Sequence, residues 1–166
     1  IGPGLGQELS TLAAKEGASA VVLAARTQAK LDVAEQEIRA LGLGTSVLKV
    51  PTDIADEAQC KALADRAVQE FGRIDVLFNS AYDPGSFEPI EEASMDGWRR
   101  AMDVNFFGTM HLTQACVRHM KNSGGGAIVM IATMVEHKPL ATQAGYGSSK
   151  SALRCATKHL ALELGK

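Results

Sequence analysis

A chain of 166 residues is long enough for one domain with a sizeable core. Its apolar share of 46% and charged share of 22% exclude a disordered or fibrous protein. A net charge of −2 speaks against a polybasic surface for nucleic acid or anionic lipid, and no apolar run approaches the ~20 residues that span a bilayer.

The chain opens on Ile1-Gly2-Pro3-Gly4-Leu5-Gly6. Glycines at that spacing let a backbone approach a pyrophosphate at the positive end of the helix that follows. Leu9, Leu12 and Ala13 mark that helix's expected apolar side. Six residues without a polar side chain, Ala20 to Ala25, then predict a buried strand. A dinucleotide site built on such a loop, helix and strand reads the adenosine ribose at the end of that strand. An acid there would accept the 2′-hydroxyl of NAD, whereas an arginine pairs with the 2′-phosphate of NADP. Here the acid is absent and Arg26 is present. NADP is therefore the expected cofactor, with NAD as the alternative.

Leu31, Ala34, Ile38 and Leu41 recur at helical spacing, and Gly42 and Gly44 end the helix. Residues 47–50 form the next short strand. Asp53 to Asp56 lead into a helix carrying Leu63, Ala67, Val68 and Phe71, closed by Gly72. Residues 74–78 predict a third strand and 127–131 a fourth. Between these two lie a loop over 82–95, too long for a plain connection, and one long helix over 97–121. A last helix is expected over 145–164. Strands alternating with helices in this way predict an α/β domain. It is a doubly wound parallel sheet of Rossmann type in three α/β/α layers. The whole chain, 1–166, reads as a single domain.

The last helix carries Tyr146 and Lys150, four residues apart and so on one face. A lysine ammonium beside a phenol favours the phenolate. A tyrosine so placed can trade a proton with an alcohol or carbonyl oxygen. Cys60, Cys116 and Cys155 form no metal or redox pair and are expected as buried free thiols, which suits a reducing, cytoplasmic setting. His111, His119, His137 and His159 show no ligand spacing, so no metal is expected.

These residues resemble the short-chain dehydrogenase/reductase family, in its Tyr-x3-Lys branch. Gly4 and Gly6 match the last two glycines of that family's Thr-Gly-x3-Gly-x-Gly loop, and with Gly2 and Leu5 would line the cofactor. Asp53, in Thr52-Asp53-Ile54, matches the aspartate near the adenine amino group. Asn79-Ser80-Ala81-Tyr82 stands where the family has Asn-Asn-Ala-Gly; Asn79 and Ala81 match, Ser80 and Tyr82 do not. Asn105, in Asp103-Val104-Asn105, matches the catalytic asparagine, which in the family bends a helix and holds a water that leads to the lysine. Thr133, thirteen residues before Tyr146, stands in place of the family's serine. It keeps a hydroxyl that can bond a substrate oxygen.

The resemblance implies a catalytic tetrad of Asn105, Thr133, Tyr146 and Lys150. It implies a cofactor lining of Gly2, Gly4, Leu5, Gly6, Arg26, Asp53, Ile54, Asn79, Ala81, Tyr146 and Lys150. The implied activity is NAD(P)-dependent interconversion of an alcohol and a ketone or aldehyde. The substrate is a small molecule, shaped by 82–95 and 135–145, with Tyr82, Phe87 and His137 as candidate lining. No nucleic acid and no membrane is implied. By the same analogy the full-length protein is a homodimer or homotetramer. The runner-up is a non-catalytic dinucleotide-binding or scaffold member, suggested by Thr133 and the altered 79–82 motif. The family's first, central strand and its last strands have no counterpart here. The chain thus reads as an internal fragment, with a groove open at the centre of its sheet and turnover expected only from the intact protein.

Overall fold

The computed structural model describes residues 1–2 and 4–165. Helix α1 (Leu5–Lys15) leads to strand β1 (Ala20–Ala25), α2 (Gln28–Ala40), β2 (Ser46–Pro51), α3 (Glu57–Phe71) and β3 (Val76–Asn79). After the long loop come α4 (Met95–Met102), a π-helical segment (Asp103–Gly108) and α5 (Thr109–Asn122). Strand β4 (Ala127–Met130), a 3-10 turn (Met134–Glu136) and α6 (Ala144–Leu164) complete the order. Local chemistry explains the boundaries. The Asp56 side chain accepts the Gln59 N–H to start α3, and Ser94 accepts the Gly97 N–H to start α4.

The strands pair in parallel but in two separate pairs. Ala20 to Ala25 of β1 lie opposite Ser46 to Pro51 of β2, and Val76 to Asn79 of β3 opposite Ala127 to Met130 of β4. Among the described residues no strand pairing joins β1 to β3. This is the expected opening at the centre of the sheet. The Ile1 nitrogen donates to the Ala24 carbonyl of β1.

Strand alternation sorts the core into two sides. Val21, Leu23 and Ala25 face Ala14 of α1 and Leu31, Ala34 and Ile38 of α2. Val22 and Ala24 face the other way, into a cluster of Cys60, Leu63 and Ala64 of α3, Leu77 of β3 and Leu112, Cys116 and Met120 of α5. The three α/β/α layers follow from that division. The second side of β3 and β4 is bare: Val76, Phe78 and Val129 are exposed.

Three expectations change. The single helix over 97–121 is interrupted by the π segment at Asp103–Gly108. Gly108 there lies so close to β2's exit that a Cβ would sit 2.7 Å from the Ile54 carbonyl oxygen. Leu12, read as apolar-side, is exposed, because α1 packs mainly on β1 and α2. Cys155, expected buried, is exposed on α6, whereas Cys60 and Cys116 are buried. Burial pushes the Cys60 thiol up to about 11 and the Cys116 thiol up to about 12, which makes both inert.

Candidate active site

Parallel strands put all their carboxyl ends at one edge, and in open α/β sheets that edge is where ligands bind. The candidates next to strands lie there: Arg26 follows β1, Asp53 and Ile54 follow β2, Asn79 ends β3 with Ala81 two residues beyond, and Thr133 follows β4.

The glycine loop meets this edge at the start of α1. Gly4 has φ 100°, the left-handed region open to glycine, and its carbonyl accepts the Gln7 and Glu8 N–H groups. No side chain caps this helix start. A Cβ at Gly2 or Gly4 would find no atom within 4 Å, so open space lies beside the loop. One at Gly6 would lie 3.3 Å from Ser80 Oγ, so the loop abuts the end of β3. An uncapped, positive helix end beside open space suits a pyrophosphate. Leu5, the first residue of α1, is exposed at that end. Arg26 is exposed beyond β1. These residues fit a dinucleotide.

Asp53 and Asn79 are anchored locally. The Asp53 carboxylate accepts the Ala55 N–H at 3.1 Å, and the Asp53 N–H donates to Gln59 Oε1 at 2.9 Å. Asn79 is buried, and its Nδ2 donates to Thr113 Oγ1 at 3.0 Å, tying β3 to α5. The Ile54 carbonyl accepts from Cys60 Sγ and its side chain joins the core, while Ala81 is exposed past the strand.

Tyr146 and Lys150 stand a turn apart on α6. The start of that helix is pressed against α4, where a Cβ on Gly145 would lie 2.8 Å from the Trp98 ring. Lys150 is 2% exposed, and its ammonium donates to the Ile131 carbonyl just past β4 at 2.7 Å. Burial lowers its pKa below the ordinary lysine value, and the negative charge of Glu136 opposes that shift. The Tyr146 ring meets Tyr82 edge-on, with centroids 6.3 Å apart. Of the candidate lining, Tyr82 is thus beside the tyrosine. Phe87 is exposed on the loop, and His137 is exposed and held by Arg154.

Asn105 is fully buried in the π segment. Its Oδ1 accepts the Asp83 N–H at 2.7 Å, and its Nδ2 donates to the Asp83 carbonyl at 2.8 Å and to Ser149 Oγ at 2.9 Å. Ser149 Oγ in turn donates to the Tyr146 carbonyl at 2.7 Å. Asn105 therefore connects the long loop to the turn of α6 that carries the tyrosine. The side-chain bonds of Asn105 thus go to Asp83 and Ser149. Thr133 caps the 3-10 turn, its Oγ1 accepting the Val135 N–H at 3.3 Å. Among the described residues no hydrogen bond joins it to Tyr146.

Four contributors escaped the sequence reading. Ser149 and Asp83 complete the Asn105 network, Trp98 seats α6, and the Glu136 side chain is closed from solvent on the 3-10 turn that packs on α6. Ser149 and Trp98 carried a signal, being a small hydroxyl one residue before the lysine and the chain's one tryptophan. No group of three metal-type side chains occurs among the described residues.

A family model described as short chain dehydrogenase matches residues 1–166. The 7alpha-hydroxysteroid dehydrogenase of Escherichia coli K12 is 33% identical over 165 residues, which cover 99% of this chain and 63% of that protein. Among solved structures, an NAD+-bound xylitol dehydrogenase superposes with a TM-score of 0.89 at 31% identity, over 96% of this chain and 60% of that one. An actinorhodin polyketide ketoreductase with NADPH gives 0.89 at 28% identity, over 97% and 61%. The chain thus spans about 63% of the length of curated relatives such as the 7alpha-hydroxysteroid dehydrogenase.

Proposed function

This chain belongs to the short-chain dehydrogenase family, and from that premise we propose that its protein interconverts an alcohol and a ketone or aldehyde using a nicotinamide dinucleotide, with Tyr146 as general acid and base. One observation carries the reading. Tyr146 and the buried Lys150 ammonium share one face of α6, and Lys150 is anchored on Ile131 at the carboxyl edge of the strands. The glycine loop opens at that same edge.

The roles follow from chemistry. The α1 N-terminus and the Gly2, Gly4, Leu5 and Gly6 backbone hold the pyrophosphate. Asp53, Ile54, Asn79 and Ala81 line the adenosine and nicotinamide ends. The dinucleotide, when bound, supplies or accepts the hydride. In carbonyl reduction Tyr146 gives its proton to the substrate oxygen; in alcohol oxidation it takes one. Lys150 places a positive charge beside the phenol and favours its phenolate in the moment after proton donation. The Thr133 hydroxyl, rotated from its bond to Val135, orients the substrate oxygen. Asn105 holds the loop over 82–95, with Tyr82, against the tyrosine's turn.

The cofactor preference proposed is NADP, because Arg26 stands exposed at the end of β1 where an acid would select NAD. The two solved relatives named above carry NAD+ in one case and NADPH in the other. Assembly as a homodimer or homotetramer through α4, α5 and α6 belongs to the same reading. A ligand that binds the folded state raises its apparent stability. Thermal unfolding of the full-length protein with NADPH and NADH is therefore the test. A larger rise with NADPH, lost in Arg26→Ala, supports the assignment; no rise with either cofactor overturns it. The non-catalytic reading rests on Thr133, whose Oγ1 is turned to Val135. It predicts a cofactor response without carbonyl reduction.

A further inference from the structure

Tyr82 stands beside the reacting tyrosine, and the reaction as derived gives its ring no task. It is one of the two residues at which 79–82 departs from the family's motif. The core does not need it, since it is 63% exposed. An exposed side chain flips between rotamers unless something holds it. This ring instead meets the Tyr146 ring, with centroids 6.3 Å apart and planes at 73°. That is the geometry of an edge-to-face aromatic pair.

The backbone under Tyr82 is held on both sides. Three residues earlier, buried Asn79 ends β3 and donates to Thr113 Oγ1 at 3.0 Å. One residue later, the Asp83 N–H donates to Asn105 Oδ1 at 2.7 Å, and the Asp83 carbonyl accepts from Asn105 Nδ2 at 2.8 Å. The Asp83 carboxylate accepts the Gly85 N–H at 2.8 Å, which fixes the turn that follows. Ser149 is bonded both to Asn105 and to the Tyr146 carbonyl, so the same clamp reaches the turn of α6 that carries Tyr146. The two rings therefore stand on one hydrogen-bonded frame, set before any substrate arrives.

Two rings at 73° make an apolar corner at the reacting tyrosine. A flat ring laid on one of them meets the other with its edge, which is an arrangement aromatic groups prefer. A saturated ring is puckered, has no π face, and fills the same corner with poorer contact. The surroundings are uncharged: residues 79–82, 131–135 and 144–149 contain no Asp, Glu, Lys, Arg or His. Lys150, the next residue, is buried and donates to the Ile131 carbonyl. Met134, beside Thr133, adds an exposed thioether, a group that packs well at the edge of an aromatic ring.

We propose that Tyr82 is a specificity-determining residue, and that the substrate carries a neutral, flat aromatic ring next to its reacting carbon, received in the corner between Tyr82 and Tyr146. The substrate class rests on the function proposed above, whereas the ring-binding corner does not. Because the frame holds Tyr82 in advance, little ordering is lost on binding, and the preference belongs in KM rather than kcat.

The test is steady-state reduction of acetophenone and of cyclohexyl methyl ketone by the full-length protein. The two are of like size and differ in the flatness of the ring. Their intrinsic reactivities cancel when the ratio of the two kcat/KM values is compared between variant and wild type. In Tyr82→Leu that ratio is expected to move roughly tenfold against acetophenone, through its KM. Tyr82→Phe keeps the ring and should keep the ratio. A ratio unmoved in Tyr82→Leu, or moved as far in Tyr82→Phe, overturns the proposal. A Tyr82→Leu protein that loses both ketones alike, together with affinity for NADPH, overturns it too and assigns the ring to the cofactor. Should the full-length protein reduce neither ketone, saturation-transfer NMR of acetophenone on the NADPH-bound protein decides. Ring-proton signals lost in Tyr82→Leu and kept in Tyr82→Phe uphold the corner and count against the proposed function; signals absent from wild type, or equal in all three proteins, overturn the corner.

Discussion

Tyr146 and Lys150 share a helix turn, yet they differ in what the fold does to them. Lys150 is sealed at 2% exposure, while Tyr146 stays half-buried with Tyr82 against its ring. That difference matches a proton donor that must meet substrate and a charge that must not be screened. Tyr146→Phe is expected to lower turnover by roughly 10²–10⁴-fold while leaving cofactor affinity and stability in place; steady-state kinetics beside a binding titration checks both. Lys150 has a stability signature of its own. Burial holds its folded pKa below 10.5, so the folded state binds that proton less tightly than the unfolded chain does. The fold carries that cost at neutral pH and sheds it as the pH rises through the lowered value toward the unfolded one. Urea unfolding of wild type and Lys150→Met should therefore show the difference moving in wild type's favour as the pH is raised over that window.

At the scale of elements, the π segment decides most about the site. Apolar spacing across 97–121 reads as continuous helix, because one wider turn does not break the pattern. Two residues explain the wider turn once neighbours are known. Gly108 must clear the Ile54 carbonyl, and Asn105 must reach both the Asp83 backbone and Ser149. Asn105→Ala should cost about 1–3 kcal/mol, since it strips partners from buried polar groups; chemical denaturation measures it. Because the same bonds hold the loop over 82–95, the variant should also weaken substrate binding more than cofactor binding. Gly108→Ala is expected to cost about 1–3 kcal/mol, because the new methyl meets backbone that cannot rotate away. By contrast, the ends of α3 were legible in advance: Asp56 and Gly72 act within their own helix, so no tertiary partner is needed to place them.

Across the whole molecule, the strand pairs are held by helices rather than by each other. Cys60, Leu63 and Leu112 bury one side of β3 and β4, but Val76, Phe78 and Val129 stay open on the other. Leu5 and Leu12 of α1 are open as well. Apolar surface of this kind on a sheet with an unpaired internal edge invites association. The 166-residue chain is expected to bind a hydrophobic-surface dye and to self-associate. Dye fluorescence with light scattering checks this, and a monomeric, dye-silent 166-residue chain would sink the expectation. Helix periodicity names an apolar side but not whether anything covers it. This is why Leu12 and Cys155 were expected inside and stand outside.

By itself, the sequence determined the properties that depend on neighbours along the chain. Helix and strand order came from periodicity, the glycine-led entry to α1 from backbone geometry, and the shared face of Tyr146 and Lys150 from a four-residue spacing. The parallel α/β class came from alternation alone. Only the tertiary structure decided what depends on partners far away in sequence. It split the strands into two pairs, buried Lys150 on Ile131, and turned Asn105 to Asp83 and Ser149. It also closed the Glu136 side chain from solvent, beside His137. The physical reason is common to all of these: burial and hydrogen-bond partners are set by packing between elements, and no local pattern encodes which distant group will complete a polar side chain.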